Sequence, residues 1–422
     1  MELNRLVRIS RNSLIIPFLW VFFFIISFRV LARFPSGIFE ILFVLIVIIT
    51  FSISIRQIIL GWIQGGSNVY QLVLIPLFIL PFIVAWQANK EFGQPYFLGL
   101  LAQRQHFIIF AGYFLLFMLQ RKKITLEKLE RYLILASLII MVIMGFFSIF
   151  INPTIFSNTE FVEYSINKGW KYGFPSDVIA TIILISSLKI LGSNKLKYIV
   201  VLLLGSAYFL IYIQDRSEIL MITMTVLLYF VRNVNLNKKI IYTAYGVIIL
   251  SLALALLTII QPDLINHYIT LFSNASTIAT GGQTSEYSTN VRLKESAIAL
   301  KGIAEHPWFG NGFVSSQYKG GFSGILGYFY AADIGILGNL FVYGIIGTFI
   351  FYIPFILVIS WTKKLRHHHD ILLTTCQYGL FFIFLDMITA ASNIKYLGLP
   401  SIFFAIIYYY RYYVITKKNS PQ

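Results

Sequence analysis

Residues 37–55 read GIFEILFVLIVIITFSISI, an apolar run interrupted by one charge, Glu40. A continuous run close to 20 residues long suits a helix crossing about 30 Å of hydrocarbon. Similar runs recur outward from it in both directions. The sequence predicts spans near 13–32, 37–55, 69–86, 105–120, 132–152, 175–191, 198–213, 218–231, 240–260, 333–360, 371–389 and 399–416. Only 12% of the 422 residues are charged, 58% are hydrophobic and mean hydropathy is +0.78, whereas a soluble domain carries about 25% charged residues. The expected class is an all-α integral membrane protein with about twelve transmembrane helices. A β-barrel is excluded because its strands are shorter and alternate in polarity.

The net charge is +16, and its placement matters more than its size. If the N-terminus is inside, the segments at the N-terminus, near 56–68, 121–131, 189–197, 232–239 and 362–370, and at the C-terminus hold most of the 33 Lys and Arg residues. That asymmetry predicts cytoplasmic termini on both ends, and no nucleic-acid partner. Arg5, Arg8 and Arg11 resemble the start of a signal peptide. No small-residue cleavage site follows Phe23-Phe24-Ile25, so an uncleaved first span is expected. The single Cys376 lies inside an apolar run, which rules out a disulfide framework.

Three regions follow: 1–260 with nine spans, a large outer loop over 261–332, and 333–422 with three spans. Within the large loop, Ser273 to Asn290 is rich in Ser, Thr, Gly and Asn and reads as flexible. A second outer loop, Asn152–Asp177, carries Glu160, Glu163, Lys168, Trp170 and Lys171. Tyr96–His106 reads as a surface helix or as the tilted start of the fourth span. No internal repeat is evident, which weighs against carriers built from two similar halves.

The polar interruption of greatest interest is Thr289–Ser316, TNVRLKESAIALKGIAEHPWFGNGFVSS. A helix starting near Asn290 places Leu293, Ala297, Leu300 and Ala304 on one face and Arg292, Glu295 and Ala299 on another. Arg292 could serve a site, with Glu295 in support, or could form an ordinary i,i+3 pair with Glu295 worth a few tenths of a kcal/mol. His306-Pro307-Trp308-Phe309-Gly310-Asn311-Gly312 stops the helix. Pro307 moves His306 out of helical conformation and the glycines permit a tight turn. His306 therefore reads first as a structural stop.

Other costly polar residues lie near membrane depth. Ile213-Gln214-Asp215-Arg216-Ser217-Glu218 is wedged between two spans, and an Arg there suits a phosphate ligand. Asp215 and Glu218 would then support Arg216, or the three would only cap the outer turn. Asp333 heads a glycine-rich apolar run, either as a helix cap or as a buried carboxylate suited to general-base work. His367-His368-His369 sits among Lys363, Lys364 and Arg366, which disfavours a metal. Neither a phosphate-cradling loop nor a dinucleotide fingerprint occurs.

These patches together resemble the O-antigen ligase and O-antigen polymerase superfamily of bacterial envelope enzymes. Gln214-Asp215-Arg216-Ser217 resembles its Ser-Arg pattern at a span's outer end. Arg292 followed by His306-Pro307-Trp308-Phe309-Gly310-Asn311-Gly312 resembles its loop signature, and Asp333 with Gly344-Ile345-Ile346-Gly347 resembles the segment entering the next span. The ligase pattern has a His-Asn pair about eleven residues before the G-I-I-G motif. Asp333-Ile334 stands there instead, which is more similar to the repeat-unit polymerases.

The resemblance implies a GT-C-like lipid-linked glycosyltransferase whose large periplasmic loop contains short helices, in the inner membrane. Undecaprenyl-diphosphate-linked oligosaccharides would be donor and acceptor, and Arg216 and Arg292 would bind the diphosphate. Asp333 would be the base, with His306 a weaker candidate. The scheme needs no metal and no cofactor. Besides membrane lipid, it implies a chain-length regulator protein and a flippase as partners. A ligase acting on lipid A core, and a lipid-linked sugar flippase or other transporter, are the alternatives.

Overall fold

The computed structural model describes residues 16–28, 37–63, 68–156, 162–165, 169–173, 176–193, 198–210, 216–244, 251, 255, 258, 287–365, 370–389 and 397–414. The N-terminal arginines, Asp215, Glu160, Lys168, the loop residues 261–286, His367–His369 and most of the expected span 240–260 lie outside the described residues. In chain order the helices are α1 (Ile16–Ser27), α2 (Gly37–Ile63), α3 (Val69–Phe92), α4 (Tyr96–Ala102), α5 (Ile109–Gln120), α6 (Leu126–Phe150), α7 (Ser176–Ser193), α8 (Tyr198–Tyr208) and α9 (Arg216–Asn233). After a further helical stretch at 236–244 come α10 (Tyr287–Glu305), α11 (Gly321–Leu326), α12 (Gly335–Leu365), α13 (Ile371–Thr389) and α14 (Gly398–Tyr409). Among the described residues, the strands form one hairpin between α6 and α7, β1 (Val162–Ser165) against β2 (Gly169–Tyr172). Its paired Val162 and Tyr172 are both buried, and the Tyr172 hydroxyl donates to the Ile151 carbonyl at 3.0 Å.

Five helical segments among the described residues are long and apolar enough to cross a membrane: α2, α3, α6, α12 with the turn before it, and α13. The bent pair α4–α5 makes a sixth if it is one span, while α1 and α8 are shorter apolar helices. On α2, Ile38, Ile41, Ile48 and Ile63 are all exposed. Such a surface is stable only where the solvent is lipid. The chain is a multi-pass helical membrane protein.

Local chemistry fixes the ends of these helices. Asn68 and Gln71 form a reciprocal capping box at the start of α3, and Gly93 at φ 71° ends it in the left-handed conformation. Thr125 caps α6, which begins at Leu126 rather than near 132. Asp370 accepts from Leu372 N–H and Leu373 N–H at the head of α13. In the bundle, Gly112 of α5 lets the Ser401 carbonyl of α14 approach closely, and Gly379 of α13 seats the Phe403 ring. Small residues at such crossings let helices gain dispersion contacts that lipid would otherwise supply.

Two spans depart from simple helices. The expected span 105–120 follows a 47° bend between α4 and the stretch Arg104–Gln120, which opens with a 3-10 turn, Arg104–Ile108, so Tyr96–Ala102 is a separate short helix. Gln103 secures the bend by donating to the carbonyls of Pro81 and Gly99 at 3.2 and 3.3 Å. The expected span 333–360 is broken at Gly344, whose φ 64° and ψ −173° lie outside helical space. The segment Ile345–Leu365 alone is about 30 Å long at 1.5 Å per residue, enough for the hydrocarbon. Residues 335–343 thus form an extra leg beyond the length that a crossing needs. Across the two irregularities, His106 Nε2 and the Tyr343 hydroxyl are hydrogen-bonded at 3.1 Å.

The loop Pro307–Gly312 fills the break. Asn311 N–H and Gly312 N–H donate to Phe341 O and Val342 O at 2.8 and 3.1 Å, and Ile345 N–H and Ile346 N–H donate to Pro307 O and Trp308 O at 2.8 and 3.1 Å. Gly310 and Gly344 both have positive φ and face each other so closely that a Cβ on either would strike the other's backbone.

Gly344→Ala should therefore cost about 1–3 kcal/mol from backbone strain before the collision with Trp308 is added. Gly145, with open space around it on α6, is the control, where Ala should be neutral or stabilise by about 0.5–1 kcal/mol. Thermal unfolding in detergent separates the two. Equal midpoints for Gly344→Ala and wild type would show that the break tolerates a side chain.

Candidate functional site

The loop is held from two sides, and each contact can be traced to a side chain. Asn311 Nδ2 donates to Gly302 O and Phe341 O, both at 3.1 Å, tying the end of α10 to α12. From α3, Gln87 Nε2 donates to Gly310 O at 3.3 Å. Gln94, fully buried, donates through Nε2 to Phe313 O at 3.1 Å and accepts from Ser315 N–H at 2.7 Å. It clamps the extended backbone 313–315 as a neighbouring strand would. Phe92, Phe313, Phe322, Phe329 and Phe341 stack edge to face beside it, with Phe329 and Phe341 centred 4.8 Å apart.

This scaffold settles which face of α10 turns inward. Glu295, Ala299 and Gly302 are buried, whereas Leu293, Ala297, Leu300 and Ala304 are exposed. The face that carries Arg292 and Glu295 is the one against α12, and the apolar stripe points away from the protein. Helix α10 also starts at Tyr287, so residues 287–290 are helical rather than flexible.

Arg292, Glu295 and Asp333 are brought together. Glu295 is 0% exposed, and its Oε1 accepts from Tyr330 N–H at 3.0 Å. Tyr330 leads into the 3-10 turn Ala331–Ile334 that contains Asp333. Asp333 itself is exposed, and α12 begins two residues later at Gly335. Of the two readings open for Asp333, a helix cap or a buried carboxylate, the buried one does not hold; the buried carboxyl here belongs to Glu295. Burial pushes the Glu295 carboxyl up to about 7, helped by the nearby Asp333 charge and opposed by the Tyr330 hydrogen bond and the Arg292 charge. Arg292 is exposed one turn earlier and makes no ion pair with Glu295 among the described residues.

His306 is elsewhere. It lies fourteen residues beyond Arg292, about 20 Å along the helix, and its Nε2 meets Glu91 Oε2 of α3 at 2.9 Å. Its N–H donates to Gly302 O and its carbonyl accepts from Gly310 N–H, which closes the end of α10. Arg216 is the first residue of α9. Lys189 near the end of α7 pairs with Glu130, while Ser176 at its start donates to Glu218 at 2.6 Å. On α13, Tyr378 receives Asn233 from the end of α9 at 2.7 Å, and Ile388 meets Gly335. Helix α9 thus runs antiparallel to α13, and Arg216 begins it at the end of the bundle where α12 starts.

Gln87, Glu91 and Gln94 were not among the expected site residues. Gln87 and Glu91, four apart, fall on one side near the end of α3, and that pattern was the available signal; Gln94 lies past the Gly93 stop, outside the helix. Removing the Gln94 amide leaves a buried N–H and a buried C=O without partners, at about 1–3 kcal/mol for each. Gln94→Ala should accelerate proteolytic cleavage within 306–320 of the protein in detergent while α3 stays intact. An unchanged cleavage rate would mean that the clamp holds nothing.

No protein-family model matches this chain, and no curated protein is significantly similar to it.

Proposed function

We propose that this protein polymerises undecaprenyl-diphosphate-linked oligosaccharide repeat units into O-antigen or a related surface polysaccharide. The observation that supports it is the gathering of Arg292, Glu295 and Asp333 where α12 meets the membrane boundary. A lipid-linked substrate presents its diphosphate at that level and its sugars beyond it. An exposed guanidinium can grip the diphosphate with two parallel charge-assisted bonds. An exposed carboxylate beside it can take a proton from an acceptor hydroxyl.

In this chemistry the acceptor oxygen attacks the anomeric carbon and the sugar–phosphate bond breaks. Its electron pair leaves with the diphosphate, so one displacement inverts the carbon. Arg216 and Arg292 stabilise the charge that grows on the leaving group, Asp333 takes the proton, and Asp215 and Glu218 support Arg216. His306 paired with Glu91 serves the loop. The proposal includes twelve spans in a bacterial inner membrane, both termini cytoplasmic and the site facing the periplasm. A flippase would deliver the lipid-linked units, and a chain-length regulator would act on the product. The carboxylate at Asp333, in place of the ligase His-Asn pair, favours polymerase over ligase.

Deleting the gene in its native host and resolving the surface polysaccharide on a gel tests this. Loss of long chains with a single repeat unit left on lipid A core is the expected result. Polysaccharide accumulating on its lipid carrier would make the protein a ligase, and single lipid-linked units held on the inner face would make it a flippase. In complementation, Arg292→Ala and Arg216→Ala should each lower chain extension about 100- to 1,000-fold, and Asp333→Ala about 100- to 10,000-fold, at unchanged expression. Full extension by Asp333→Ala would remove it as the base.

A further inference from the structure

We infer that Glu295 is a positioning residue for Asp333, holding its turn from behind and setting how tightly Asp333 keeps a proton. The inference rests on the glycosyl-transfer reading. Geometry carries it. One Glu295 oxygen anchors Tyr330 N–H, three residues before Asp333, and thereby ties the 3-10 turn to α10. The other, Oε2, is buried and has no hydrogen-bond partner among the described residues. A carboxylate satisfied on one side only is costly to bury, so its charge state responds to its neighbours. Among the described residues, the charged groups that act on it are Arg292, one turn back on α10, and Asp333, from the 3-10 turn. The leg 335–343 of α12 contributes only Tyr343, whose hydroxyl is taken by His106, and α11 contributes no ionisable group.

During transfer the acceptor O–H bond breaks as the new C–O bond forms, and the proton passes to the Asp333 carboxylate. An ionised Glu295 behind Asp333 makes that carboxylate a stronger base than a lone exposed one, because two like charges resist each other until one takes a proton. Once Glu295 is neutral, the reinforcement is gone. The sign follows: the Glu295 carboxyl, raised to about 7, is neutral below that pH and ionised above it. Transfer should rise through neutral pH and level off on the alkaline side.

Two measurements on the full-length protein test this. The first needs no activity: infrared difference spectroscopy of the purified protein follows carboxyl protonation against pH. A protonated-carboxyl band with a midpoint near neutral should be absent in Glu295→Gln. Its midpoint should move to lower pH in Asp333→Asn, which removes a like charge, and to higher pH in Arg292→Gln, which removes an opposite one. Midpoints indifferent to both substitutions would overturn the coupling.

The second is the transfer rate in membranes from about pH 5 to pH 9. Glu295→Gln keeps an acceptor for Tyr330 N–H. It should lose the neutral-pH rise and run about tenfold slower on the alkaline side at unchanged KM. Glu295→Gln with the wild-type pH profile would leave the residue a mere anchor and overturn the inference. Coupled titrations in a wild-type protein that transfers no glycan would overturn the transfer reading and, with it, the role for the pair in catalysis.

Discussion

A helix broken near a membrane leaves backbone donors and acceptors that lipid cannot satisfy. In this protein the break at Gly344 is closed by four backbone hydrogen bonds from Pro307–Gly312. The rest of the outer architecture depends on that exchange. It fixes where α10 ends and how far α12 runs before entering the membrane. It also fixes how closely the 3-10 turn before α12 approaches α10. The two glycines at the contact are obligatory for the same reason, since neither backbone leaves room for a Cβ.

The exchange would be fragile if it stood alone, because each net hydrogen bond contributes only about 0.5–1.5 kcal/mol. Its support comes from groups that would be costly to leave unpaired. Gln87, Gln94 and Asn311 are all buried, and each amide answers a loop or helix-end carbonyl. The phenylalanines around Phe322 remove apolar area from the boundary on the same side. His106 and Tyr343 join the bend before α5 to the residue preceding the break. Two irregular spans thus brace one another.

Much of this was legible in the sequence, and the parts that were not share a cause. Continuous apolar runs such as 37–55 announced helices in lipid, but not where they stop: α3 runs past the expected 86 to Phe92 and the Gly93 stop, and α6 starts at the Thr125 cap, ahead of the expected 132. Hydropathy could not announce the break, because Gly344-Ile345-Ile346-Gly347 is as apolar as the helix around it. Nor could it orient α10. Periodicity separates a face of Leu293, Ala297, Leu300 and Ala304 from one of Arg292, Glu295 and Ala299 without deciding which turns inward, and the first is exposed. What decides the orientation is steric. Ala299 and Gly302 let α12 come close, with Phe341 lying over Gly302 where any side chain would collide. At a lipid boundary an outward apolar stripe carries no penalty. Arg292, Glu295 and Asp333 were legible as candidates, but their convergence depends on that orientation.

In the proposed transfer reaction, the same orientation separates two properties that a general-base carboxylate needs and that oppose each other. Access to an acceptor hydroxyl requires exposure, and exposure keeps a carboxylate's proton affinity near its ordinary low value. Burial raises the affinity but shuts the substrate out. A pair resolves the conflict, with Asp333 at the surface and Glu295 enclosed behind the turn that carries it. The Tyr330 hydrogen bond and, less strongly, the Arg292 charge favour the ionised form of Glu295, so burial raises its carboxyl only to about 7. Had the apolar stripe of α10 faced inward, Glu295 would have been solvated like any surface glutamate. On that proposal, the small residues that bring α12 against α10 bear on the chemistry of Asp333 as well as on the fit of the loop.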